Sequence, residues 1–81
     1  MDHKERLYKA LKTKLEADVN EALLTLDLCF NKPVAIGEHT SDHFVNEASK
    51  ALDKLTEARD KIDVLNTYLE GDIGGKKLLN D

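Results

Sequence analysis

Apolar residues recur at alternating intervals of three and four through the second half of the chain, and this spacing limits the fold more than any other feature. The series consists of Phe44, Ala48, Ala51, Leu55, Ala58, Ile62, Leu65 and Leu69. Residues three and four apart lie on one face of an α-helix, whereas a strand requires strict alternation. The spacing therefore predicts a helix over about residues 41–70 with a continuous apolar seam.

A first helix is predicted over about residues 3–30, because its apolar residues repeat at the same intervals. They are Tyr8, Leu11, Leu15, Val19, Leu23, Leu26 and Phe30. Leu24 and Leu28 add a second apolar ridge to the later half of this helix. Asn31 suits the left-handed conformation that follows a last helical turn, and Pro33 cannot continue the helix.

The two helices are expected to form one all-α domain, an antiparallel hairpin over residues 1–70. Residues 31–40 form the connecting loop in this interpretation, and residues 71–81 a flexible tail. Thr40, Ser41 and Asp42 are three candidate caps for the second helix, and Asp42 also places negative charge at its positive end.

The hairpin is too small to enclose all of its apolar surface. Helices of this length are roughly 40 Å long, and two of them side by side bury only one stripe each. We therefore expect a homo-oligomeric bundle, most simply four helices from two copies. The expected oligomer interface is the seam of the second helix: Ala48, Ala51, Leu55, Ala58, Ile62, Leu65 and Leu69. The pattern leaves open whether this seam faces its own hairpin or another chain.

Composition argues against several classes of protein. The chain has 81 residues and a net charge of −4, so no overall basic field attracts nucleic acid. The basic residues of the first half-helix are read as a solvated face. No apolar stretch approaches a membrane span, and we expect a soluble intracellular protein without membrane contact. Cys29 lies among apolar residues and is expected to pack as one of them.

Residues 38–43 are the only local concentration of residue types that carry chemistry. His39 and His43 are four apart, which is a metal-chelating spacing on a helix, but His39 precedes the expected helix start. Capping and structural roles are the favoured reading, with anion binding at the helix start as the second. The candidate ligand-binding residues are Lys32, Gly37, Glu38, His39, Thr40, Ser41 and His43. We expect no metal, no cofactor and no catalytic residue, because no Ser-His-acid or zinc-hydrolase order occurs.

Residues 30–42, FNKPVAIGEHTSD, resemble a loop found in small uncharacterised helical-hairpin proteins of large tailed bacteriophages. Those proteins carry an Asn-x-Pro-Val-x-Ile-Gly-Glu-His-Ser/Thr-Asp loop between two helices. Residues 61–65, KIDVL, are similar to the end of their second helix. This chain departs from the pattern at Ala35, where a glycine is usual, and by the additional Ser41. The resemblance implies a phage origin and a helical hairpin, and it implies no activity.

A phage origin favours two hypotheses about function, neither of them enzymatic. In the first, the protein is a homo-oligomeric anti-defence protein in the host cytoplasm that sequesters a nucleotide second messenger of host immunity, such as a cyclic nucleotide. Helix-start amides, Lys32 and the two histidines would then hold phosphate, and Glu38 would accept a hydrogen bond from a base. In the second, the chain is a helical protein-binding module, either a virion assembly factor or an inhibitor of a host protein.

Overall fold

The computed structural model describes residues 2–31 and 41–70, and both segments are helical throughout their length apart from Asp2. Helix α1 spans His3–Asn31, helix α2 spans Ser41–Val64, and a π-helical segment, Leu65–Glu70, continues α2. The two helices pack against each other as a hairpin, and the described residues contain no strand. The predicted all-α hairpin is therefore confirmed. The predicted loop and tail lie outside the described residues.

Helix α1 begins with a reciprocal pair of hydrogen bonds between side chains and backbone. The Glu5 backbone N–H donates to Asp2 Oδ1 at 2.9 Å, and the Asp2 backbone N–H donates to Glu5 Oε1 at 3.4 Å. This arrangement is a capping box, which satisfies amides that have no partner within the first helical turn. Helix α1 ends at Asn31, whose side-chain amide donates to Asp27 Oδ1 at 2.8 Å.

Two polar contacts set the register between the antiparallel helices. Tyr8 Oη donates to Asn66 Oδ1 at 3.2 Å near the chain termini, and Lys54 forms an ion pair with Glu21 further along. Tyr8 and Glu21 are 13 residues apart on α1. Their partners, Asn66 and Lys54, are 12 residues apart on α2 and its π-helical continuation. The register between the two antiparallel helices is therefore nearly constant from one contact to the other.

The core of the hairpin is a single row of contacts between the two helices. Leu15, Ala58 and Leu65 form a buried cluster, and Tyr8, Val19 and Ile62 pack against it. Ala22 and Ala51 are buried as well. Small residues at these positions let the two backbones approach closely, because a larger side chain would hold the helices apart.

The seam of α2 is buried within its own hairpin at three of the seven predicted interface positions. Ala51, Ala58 and Leu65 are buried against α1 of the same chain. Ala48, Leu55 and Ile62 are half-buried beside them. Within the single chain, the hairpin contact uses one edge of the seam and leaves the other edge partly uncovered.

The π-helical segment moves Leu69 away from the line of the seam. A π-helix bonds residue i to residue i+5, so each residue turns through a smaller angle than in an α-helix. Leu69, four residues after Leu65, consequently does not return to the side occupied by Ile62. It is 44% exposed and lies with Leu11 and Val64 on the other side of the hairpin.

Neither described helix contains a stretch that is long and apolar enough to cross a bilayer.

Candidate interaction surfaces

Most of the predicted ligand-binding residues fall outside the part of the chain that the structure describes. Lys32, Gly37, Glu38, His39 and Thr40 belong to this group. Ser41 is the first residue of α2, and His43 follows in the first turn. The His43 ring is half-buried and meets the neighbouring Phe44 ring edge to face, with 6.0 Å between ring centroids. The arrangement of the predicted loop site therefore stays a prediction.

An apolar groove lies between the helices near the loop, and we call it the loop-end surface. Its volume is about 370 Å³, and its lining residues are Cys29, Phe30, Phe44, Val45, Ala48, Ser49 and Leu52. Phe30, Val45 and Leu52 are exposed here, although all three are large apolar side chains. Cys29 is a free, half-buried thiol in this lining, in keeping with the predicted packing role.

A second groove, the polar groove, has a volume of about 430 Å³ and continues from the loop-end surface toward the termini. It is lined by Glu16, Val19, Asn20, Arg59, Ile62 and Asp63. Two carboxylates and one guanidinium therefore border the half-buried Val19 and Ile62. Such a mixture of both signs suits a partner that also carries both signs.

A third groove lies on the opposite side of the hairpin near the termini, and we call it the terminal groove. Its volume is about 460 Å³, and its apolar lining consists of Leu11, Leu15, Val64, Leu65 and Leu69. Lys14, Asp60 and Lys61 border it. Leu7, one helical turn before Leu11, extends the exposed apolar surface at this end.

Toward the loop, the side of the hairpin that carries the terminal groove is occupied by ion pairs. Lys14 Nζ lies 3.1 Å from Asp18 Oδ2 on α1, and Lys50 Nζ lies 3.8 Å from Glu47 Oε2 on α2. The Lys54–Glu21 pair joins the two helices. The hydrogen bond from Lys54 to Glu21 raises the pKa of the Lys54 ammonium, and Coulombic attraction by Glu21 and Asp18 adds to the rise.

The described helices carry no cluster of side chains suited to holding a metal ion. Within residues 2–31 and 41–70, no three His, Cys, Asp or Glu side chains are grouped closely enough to hold a metal ion. The same segments contain no buried charged residue and no buried side-chain polar atom without a hydrogen-bond partner. What the described surface offers is apolar area bordered by charges, which suits association with another protein surface.

Sequence reasoning did not separate the residues of the loop-end surface and the terminal groove from the residues of the core. Leu11 and Phe30 belong to the predicted stripe of α1, yet both are exposed. Val45 and Leu52 lie outside the predicted seam of the second helix, and both are exposed as well. The sequence contains a signal for these surfaces, because Leu52 follows Val45 by one heptad and Phe30 follows Leu23 by one heptad. Which of these residues face each other can be determined only from the register between the two helices.

Comparison of this chain with protein families, with curated proteins and with solved structures finds no match.

Proposed function

We propose that this protein is a non-enzymatic helical association module that binds a second copy of itself through exposed apolar surface. One observation carries the proposal: ten large apolar side chains are exposed within the 60 or so residues that the structure describes. Solvent-exposed apolar patches of this extent are typical of interaction sites, because water contact with them is unfavourable. A hairpin with one thin row of core contacts also needs further burial to be stable.

The experiment that tests self-association is sedimentation velocity of the purified full chain across a hundredfold range of concentration, with native mass spectrometry beside it. The expected result is one discrete oligomer that dissociates on dilution. A monomer at every concentration would contradict the proposal, because the apolar surface would then be exposed without a copy to cover it.

A protein of the host or of the virion is the alternative partner, and the terminal groove is the surface that favours it. Its lining is apolar and its border carries Lys14, Lys61 and Asp60. A groove between two helices accepts a third amphipathic helix, as in many helix-in-groove complexes. A virion assembly factor and an inhibitor of a host protein would both use the groove in this way.

Sequestration of an immune nucleotide is a second candidate function, and it rests on the sequence of the loop. Lys32 and His39 would supply positive charge, and Gly37 and Thr40 would allow backbone and hydroxyl contacts with phosphate. If the chain has the phage origin that the resemblance implies, this candidate function is an anti-defence role in the host cytoplasm.

The nucleotide proposal is tested by native mass spectrometry of the oligomer with a mixed pool of cyclic nucleotides. We expect uptake at a fixed ratio, which Lys32→Ala and His39→Ala abolish while the oligomer stays intact. A wild-type oligomer that takes up no nucleotide from the pool would contradict sequestration and leave self-association standing.

A further inference from the structure

The loop-end surface and the polar groove lie on one face of the hairpin. The face comprises two rows spaced by heptads: Glu16, Leu23 and Phe30 on α1, and Val45, Leu52 and Arg59 on α2. Residues one heptad apart share a helix face. Phe30, Val45 and Leu52 line one groove, and Glu16 and Arg59 line the next. We call this continuous surface the pairing face; it is apolar near the loop and charged toward the termini.

We propose that a second copy of this chain covers the pairing face in a parallel arrangement, with the two-fold axis along the hairpin and both loops at the same end. The inference rests on the proposed self-association and adds the face and the orientation. Each helix then has two antiparallel neighbours, one from its own chain and one from the partner. This is the up-down-up-down order of a four-helix bundle.

The two rows match each other in this arrangement. Rotation about a two-fold axis parallel to the helices does not change the position of a residue along that axis. Helix α1 of one copy therefore meets α2 of the partner in the same register that joins Glu21 to Lys54 within the hairpin. That register places Leu23 opposite the partner's Leu52 and Phe30 opposite the partner's Val45. Apolar side chains thus meet apolar side chains through the half of the face near the loop.

Charge complementarity continues the match through the other half of the face. The same register places Glu16 opposite the partner's Arg59, and the two-fold axis repeats this contact on the other side of the bundle. Asp63 borders the polar groove beside Arg59 and faces the basic half of α1, which carries Lys9 and Lys12. Opposite charges therefore meet where the apolar side chains end.

The half-buried edge of the seam forms the inside of the proposed bundle. Five apolar residues lie between the hairpin contact and the pairing face: Val19, Leu26, Ala48, Leu55 and Ile62. Three of them, Ala48, Leu55 and Ile62, belong to the predicted oligomer interface. The hairpin contact covers these side chains only in part, and a second copy would cover the remainder.

The other arrangements of two copies are less favourable. Pairing through the opposite face in the same register would place Lys14 against the partner's Lys61, and Glu21 and Lys54 there are already paired within the chain. Antiparallel pairing through the pairing face would lay its apolar half over the charged half of the partner. Of these arrangements, only parallel pairing through the pairing face places apolar side chains against apolar side chains and opposite charges against each other along the full length of the hairpin.

The available area also favours full-length contact. The molecule measures 50 × 22 × 16 Å, so its broad face covers roughly 1,100 Å². A stable interface buries about 800 Å² on each partner. Full-length contact uses the whole of this face, whereas contact through the half near the loop alone would use only about half of it.

The face is tested by one substitution on each side of the hairpin. Leu52 on the pairing face and Leu7 on the opposite face are both 51% exposed, so Leu52→Glu and Leu7→Glu are matched. We expect Leu52→Glu to weaken dimerisation at least a hundredfold in sedimentation equilibrium, and Leu7→Glu to leave it within about threefold. Circular dichroism of each variant records the helix content. Equal effects, or loss of the dimer only in Leu7→Glu, would overturn the choice of face while self-association stands.

A charge reversal tests the predicted contact independently of the apolar residues. Glu16→Arg and Arg59→Glu should each weaken the dimer about tenfold, and the double variant should recover the wild-type affinity. Both side chains are exposed on the hairpin, so the single variants keep the fold. Absence of recovery in the double variant would overturn the proposed register.

The orientation is tested by distances between spin labels placed at either end of α1. In a Cys29→Ser background, Asn31→Cys and Lys4→Cys carry the label at exposed positions 27 residues apart, which corresponds to about 40 Å along the helix. Parallel pairing predicts self-distances below about 30 Å for both labels, since they span only the bundle width. Antiparallel pairing would give more than about 40 Å at both sites and would overturn the inference without affecting self-association.

Discussion

At the residue scale, the width of the hairpin contact depends on small side chains. Ala58 is 3% exposed and packs with Leu15 of the facing helix and with Leu65 of its own, so Leu15 has room because the residue opposite it is small. The seam series placed Ala58 in the expected oligomer interface and left open whether it faces its own hairpin or another chain. The reason for its size became apparent only in the structure, which places a leucine of the other helix in the same cluster.

Ala58→Leu is expected to destabilise the hairpin by about 1–3 kcal/mol, because the added methyl groups must force the helices apart. Urea unfolding followed by circular dichroism measures the change. Ala17→Leu is the matched control, since Ala17 is exposed on α1 and leucine has nearly the helix propensity of alanine. Equal midpoints for the two variants would show that the contact at Ala58 is not close-packed.

The capping box at the start of α1 gives a second prediction at this scale. Asp2→Ala removes the acceptor for the Glu5 backbone N–H and should cost about 1 kcal/mol of unfolding free energy. Asp2→Asn keeps an acceptor at the same position and should remain close to wild type in the same urea titration. Loss of stability in both variants would point to the charge of Asp2 and not to its hydrogen bond.

At the scale of the elements, the ion pair between Lys54 and Glu21 ties α2 to α1 from outside the core. Because the pKa of Lys54 is raised above its ordinary value of 10.5, the pair contributes its full stability below that pH. The contribution is lost as the pH rises through the raised pKa and the ammonium gives up its proton. Exposure to solvent screens the pair and keeps its contribution small.

We therefore expect the urea midpoint of the wild type to fall more steeply above pH 10.5 than that of Glu21→Gln, which has no pair to lose. Lys54→Arg should remove the steep portion, because a guanidinium stays protonated in this range. The other lysines and the tyrosines are common to the wild type and these variants, so their effect on the urea midpoint cancels in the comparison. A difference between wild type and Glu21→Gln that does not change with pH would contradict the assignment.

The π-helical segment shows how one element redirects side chains without a change in sequence pattern. Leu69 continues the heptad series, and an uninterrupted α-helix would place it beside Ile62. The wider turn over Leu65–Glu70 places it in the terminal groove. Sequence periodicity carries no signal for this change, since the spacing from Leu65 to Leu69 is the same in either helix type.

At the scale of the whole molecule, the two ends of the hairpin differ in how they present apolar surface. The pairing face is apolar near the loop, and the opposite side is apolar near the termini. A parallel dimer would cover the first surface and leave the second open for another protein. It would also bring the end of α1 and the start of α2 from both copies together at one end of the bundle.

A self-associated hairpin should melt at a temperature that depends on its concentration, because dilution favours the dissociated chain. A tenfold increase in concentration is expected to raise the midpoint by roughly 3–6 °C. Differential scanning calorimetry at several concentrations measures this shift. Leu52→Glu should remove the concentration dependence and Leu7→Glu should retain it. A midpoint that is constant for the wild type would indicate a hairpin that unfolds on its own.

The spacing of apolar residues alone predicted helices over about residues 3–30 and 41–70 and the residues of their apolar faces, and Asn31 and Pro33 indicated where the first helix ends. These are local properties, because a helix face is set by the rotation from one residue to the next. Tertiary structure decided which edge of each face is covered, that Ala51 and Ala58 meet their own chain, and that Leu52 and Leu7 are exposed on opposite sides. Those outcomes depend on the angle and register between two helices distant in sequence, which the rotation from one residue to the next along a single helix does not determine.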